Sequence, residues 1–78
     1  MDATEMKKRM ERDRKESEIR TLISRLSASS SDIGDWKIVK CYEALLQGHE
    51  LPYDLDELMQ ERQKVRDRIN ELQSELEA

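Results

Sequence analysis

Seven positions toward the end of the chain, Leu55, Leu58, Arg62, Val65, Ile69, Leu72 and Leu76, follow one another in alternating steps of three and four. An α-helix turns once in about 3.6 residues, so this spacing lines them up as one stripe along a helix. The pattern predicts a coiled-coil-like helix over 55–77, with Arg62 the polar member of an otherwise apolar seam. Glu61 and Arg68 flank the seam on one side and Arg66 on the other. Asp54 and Glu57 form a D-x-x-E capping pattern at its start, just after Pro52, which disfavours helix at Leu51.

Two further helices follow from the same kind of reading. Residues 3–27 lack glycine and proline and are rich in Glu, Lys, Arg and Met, all good helix formers. Ile19, Leu22, Ile23 and Leu26 give this segment a buried stripe in its second half. Met6 and Met10 stand apart from it, and residues 11–18 offer no apolar side chain, so the first half, to residue 16, is expected to be solvated and open to fraying. The serine cluster at 27–31 breaks the helix, because serine hydroxyls compete for backbone hydrogen bonds. Ser31 or Asp32 is the expected N-cap of a second helix, with Asp35 near its positive end. That helix runs to about Gln47 and stops at Gly48, a left-handed C-cap candidate. Ile33, Trp36, Val39, Leu45 and Leu46 are its expected apolar set, with Ile38, Cys41 and Tyr42 beside them.

The expected fold is therefore all-α and a single small domain over 1–78. Helices two and three would form an antiparallel hairpin over 32–77, with the charged first helix packed across it. Helix three outruns helix two by roughly two turns of about 3.6 residues. Its last apolar positions need a cover, either helix one or another chain. This mismatch makes Leu58, Arg62, Val65, Ile69, Leu72 and Leu76 the candidate self-association surface. Composition points the same way: 36% of the 78 residues are hydrophobic and 41% charged, which is little material for a self-contained core.

Charge and motifs narrow the function. Residues 1–20 carry seven basic and six acidic groups, whereas 21–78 carry seven and twelve. Such an acidic surface disfavours nucleic acid as the partner, since that binding draws on phosphate neutralisation. The exception is a basic patch, Lys7, Lys8, Arg9, Arg12, Arg14 and Lys15, which reads as a solvated helix face or a contact for an acidic partner. The single Cys41 fits a reducing compartment. No apolar run reaches even ten residues, so a membrane span and a secretory signal are not expected and the protein reads as cytoplasmic. No catalytic, metal or cofactor motif is present: His49 follows a helix stop, no spaced His/Cys set exists, and no glycine-rich phosphate loop occurs. Trp36, Lys37, Lys40, Tyr42 and Tyr53 are the remaining ligand or partner candidates, since an aromatic face beside an ammonium group can stack a base. The competing reading makes Trp36 and Tyr53 core anchors.

The stretches "DIGDWKIVKCYEALLQG" and "LPYDLDELMQERQKVRDRINELQSEL" resemble short helical proteins of phages and prophages in gut bacteria, over residues 32–76. The resemblance carries no catalytic residue. What it implies is a non-enzymatic, stoichiometric binder in a host bacterial cytoplasm. Its leading form is an anti-defence inhibitor that blocks a CRISPR-type effector protein or sequesters a nucleotide signal. A phage assembly factor using the helix-three seam, or a small nucleic-acid binder using the basic patch, are the alternatives.

Overall fold

The computed structural model describes residues 2–77; Met1 and Ala78, which the single-domain reading also spans, lie outside the described residues. Three helices make up the chain: α1 (Ala3–Ser27), α2 (Asp35–Gln47) and α3 (Leu55–Glu77). The fold is all-α, as the sequence predicts. The two long helices each begin on an acidic cap. Asp2 caps α1, its Oδ1 accepting from the Glu5 N–H at 2.8 Å. Asp54 does the same for α3 through the Glu57 N–H at 3.1 Å. Such a side chain satisfies a backbone donor that the helix itself leaves unpaired.

The pairing of helices differs from the expected hairpin. α1 and α3 form the principal interface, and α2 packs on them much less. Three cross-contacts show that α1 and α3 run antiparallel: Arg62 reaches the Leu26 carbonyl, Arg68 pairs with Glu18 and Lys15 pairs with Glu75. Length explains the outcome. The helix that carries the seam, α3, has 23 residues, which the 25 residues of α1 match and the 13 of α2 do not. The cover for the end of α3 is thus α1. Ile19, Ile33, Leu58, Val65, Ile69 and Leu72 form the core, with Leu22, Leu26, Ile38 and Leu76 packed against it. At roughly 1.5–3 kcal/mol per fully buried large aliphatic side chain, this thin double row is what holds the molecule folded.

The result is a rod of 62 × 21 × 14 Å with a radius of gyration of 17.3 Å, against about 11.5 Å for a compact domain of this length. Lys15 lies opposite Glu75 near the end of α3, so the first turns of α1 project beyond it. At the other pole of the rod sits α2. Rise along α1 and α3 accounts for about 40 Å of the length.

The start of α2 also departs from expectation. Its N-cap is Gly34, with no side-chain cap, in place of Ser31 or Asp32. Residues 28–34 coil into successive turns, in which the Ser31 N–H donates to Ala28 O and the Gly34 N–H to Ser31 O, both at 3.2 Å. Ser31 Oγ accepts from the Ile33 N–H within this turn. Gly34 is needed here for space: a Cβ would collide with the Ala28 carbonyl oxygen and meet Trp36 Cδ1 at 2.9 Å. Gly48 closes α2 as predicted, with φ 72°. The His49 N–H donates to Ala44 O and the Gly48 N–H to Leu45 O, the paired bonds of a Schellman stop.

Candidate functional site

Arg62 is the hub of the junction between helices. Its Nη1 donates to Leu26 O at 3.1 Å and Ile33 O at 2.7 Å, and its Nη2 donates to Asp35 Oδ1 at 2.5 Å. One guanidinium therefore joins the end of α1, the connecting loop and the first turn of α2. The Leu26 carbonyl is one of the last four in α1, which have no partner inside the helix. The planar fork of arginine suits this task better than a lysine would. Arg62 is buried, with Nε unpartnered among the described residues. The polar break in the seam is thus explained by an internal clamp. The remaining seam residues, Leu58, Val65, Ile69 and Leu72, are buried and Leu76 is half-buried against the core. In the monomer this face is spent on α1.

Trp36, Lys37 and Tyr53 come together beside this clamp. Trp36 Nε1 donates to Ser31 O at 2.6 Å, and its ring meets Tyr53 edge-on with centroids 5.7 Å apart. Lys37 Nζ lies 4.7 Å from the Tyr53 centroid and 5.6 Å from that of Trp36. The cluster pins the 48–54 segment back against the start of α2. Trp36 is half-buried and its polar handle is used internally. A cleft of about 250 Å³ beside Tyr53 is lined by Lys37 and by Asp32, Asp54, Glu57 and Glu61. Four carboxylates against one ammonium make it a poor place for phosphate.

The outer surface of α2 is the feature that the spacing misassigned. Cys41 and Ala44 face inward, whereas Val39, Leu45 and Leu46 are exposed together with Tyr42. Leu46 is 70% exposed and Tyr42 62%. Val39, Tyr42 and Leu46 are spaced i, i+3, i+7 and form a single outward stripe. Eight of the 13 residues of α2 are apolar, more than one buried face uses, so periodicity does not mark which of them turn inward. The small residues Cys41 and Ala44 were the available signal, since they suit close approach to another backbone. Lys40 is exposed on a different side of α2 from Tyr42, so the five aromatic and lysine candidates do not form one site.

The basic patch spreads along the first half of α1. Lys7, Lys8, Arg9, Arg12 and Arg14 are exposed and Lys15 is half-buried. Arg12 pairs with Glu16 at 3.3 Å and Lys15 with Glu75 at 3.4 Å. Further along, Glu18 and Glu71 hold the Arg68 guanidinium above the usual arginine range, chiefly through the hydrogen bond to Glu18. A shallow groove at the end of α1 brings Arg20 and Arg25 to serine hydroxyls, Ser24 and Ser30 among them, with the Asp32 carboxylate also on its wall; the sequence pattern singles out neither arginine. Among the described residues no three His, Cys, Asp or Glu side chains converge as metal ligands, and no described helix is long and apolar enough to cross a membrane. No protein-family model, no curated protein and no solved structure matches the chain.

Proposed function

We propose that this chain is a non-enzymatic interaction protein of phage type that works by occupying a partner protein, with the outer face of α2 as the docking surface. The observation that carries the reading is the exposed stripe of Val39, Tyr42 and Leu46 with Leu45 beside it. An apolar stripe left open on a helix marks a contact surface. The stripe lies within residues 32–76, the stretch that resembles small phage proteins. On this reading the chain is a stoichiometric anti-defence inhibitor in the bacterial cytoplasm, blocking a CRISPR-type effector. The nucleotide-sequestering form of the same role falls to the groove of Arg20 and Arg25, whose chemistry suits phosphate.

The test is a phage challenge of bacteria carrying such an effector. The wild-type chain is expected to restore plaques, and Tyr42→Asp with Leu46→Asp is expected to lower the restored count at least about tenfold. Both side chains are mostly exposed, so the core is untouched, and circular dichroism of the variant checks that α2 stays helical. A variant as active as wild type overturns the α2 assignment. A wild-type chain that leaves plaque numbers unchanged overturns the inhibitor role.

A further inference from the structure

The two poles of the rod are complementary to each other. Where α1 projects past the end of α3, the run Met6-Lys7-Lys8-Arg9-Met10 places three cations between two methionines. Met6 is 52% and Met10 67% exposed, and their i, i+4 spacing sets them on one face. The opposite pole carries the apolar stripe of α2. Around that stripe, residues 39–57 hold five acids, Glu43, Glu50, Asp54, Asp56 and Glu57, against one base, Lys40. All five are exposed. The α2 pole is thus net acidic, while the first turns of α1, with six bases against four acids over residues 2–15, are net basic.

We propose that the chain assembles head to tail, the Met6–Met10 turn of α1 in one copy docking on the outer face of α2 in the next. The proposal rests on the reading of that face as an interface: in the free protein a second copy covers it, and a partner protein reaches it by displacing that copy. Charge decides the geometry. A two-fold contact of α2 on α2 sets acid against acid, and α1 on α1 sets cation against cation, each of which is unfavourable. Docking of unlike poles satisfies both. Because the poles lie at opposite ends of a 62 Å rod, one molecule cannot satisfy its own. The contact is heterologous, so every copy retains a free end and the assembly extends or closes into a ring. Methionine suits the inserting side, since its flexible thioether adapts to an irregular apolar surface. This assembly differs from the seam-mediated one expected from sequence, because α1 covers that seam.

Sedimentation of the full chain at low ionic strength, about 0.01 M, tests the proposal against about 1 M, where the Debye length falls from ~30 Å to ~3 Å. At low salt the average mass is expected to rise with concentration above the 9.3 kDa of one chain, and at high salt to return to it. Lys7→Glu with Lys8→Glu and Arg9→Glu should weaken association about 100-fold or more. Adding Glu43→Lys, Glu50→Lys and Asp56→Lys to that same chain turns the α2 pole net positive opposite the now acidic α1 pole and should restore it. Circular dichroism of each variant confirms that helicity is kept. Association undiminished by the triple reversal, as a two-fold α2 contact gives, overturns the proposal. A swap that restores nothing, or a wild type that stays at one chain's mass, also overturns it. Those outcomes leave the docking of a different protein on α2 to stand or fall by the plaque count.

Discussion

At the residue scale, Arg62 shows how a position that looks like a flaw in a pattern can be what a joint depends on. Three acceptors from three segments converge on its guanidinium. Arg62→Ala strips two backbone carbonyls of a donor at a buried site, and each such loss costs about 1–3 kcal/mol. The expected destabilisation is about 3 kcal/mol in total, a large share of what a chain this small has. Asp35 is the contrasting partner: its side chain is 59% exposed, so water replaces the guanidinium when the pair is broken. Asp35→Asn is expected to cost less than about 1 kcal/mol. Urea denaturation of the two variants checks the ratio. Equal losses would place the clamp's strength in the ion pair instead of the carbonyls.

At the element scale, the two acid-capped helices share one sequence device and differ in what it holds. Asp54 begins a helix whose first turns lead directly to buried Leu58, whereas the turns that follow Asp2 carry no core residue until Ile19. Asp54→Ala should therefore lower global stability by about 1 kcal/mol, while Asp2→Ala should fray the first turns and leave the unfolding midpoint in place. Thermal melts followed by circular dichroism distinguish them, and a midpoint shift of similar size in both would contradict the argument. Caps and stops of this kind were legible from the chain because each depends on a few adjacent residues: Asp54 with Glu57, Gly48 after Gln47. Partner choice was not, because it depends on which helix is long enough to cover the seam. The inward side of α2 was illegible for another reason: it has more apolar residues than its buried face uses. Arg62 was visible as an intruder, but its acceptors lie 27 to 36 residues away in sequence, beyond the reach of any local pattern. The turn that makes Gly34 the cap of α2 is hidden in the same way, in contact with the Ala28 carbonyl.

At the scale of the whole molecule, stability is concentrated in the middle of the rod and thins toward both poles. The α1–α3 pair buries Ile19, Leu58, Val65, Ile69 and Leu72 in one row, and nothing in that row can open without separating the two helices. The attachments of α2 are gathered at its beginning, where Asp35 meets Arg62 and Trp36 meets Ser31 and Tyr53. Beyond Cys41 its inward contact is a single small residue, Ala44, and its outer stripe is more than half exposed. Local opening of the second half of α2 therefore exposes little apolar surface that was not already exposed, and its free-energy cost is correspondingly low. Hydrogen exchange of the monomer in high salt should show amides of Tyr42–Gln47 exchanging at least about tenfold faster than those around Val65 and Ile69, which exchange through global unfolding. Equal protection along all three helices would mean that α2 is held far more firmly than its contacts account for. At low ionic strength and rising concentration the α2 amides should slow, and those before Met10 with them, while the central row stays unchanged. Slowing confined to α2 would place a different occupant on that face, since only contact between unlike poles protects both ends of the rod at once.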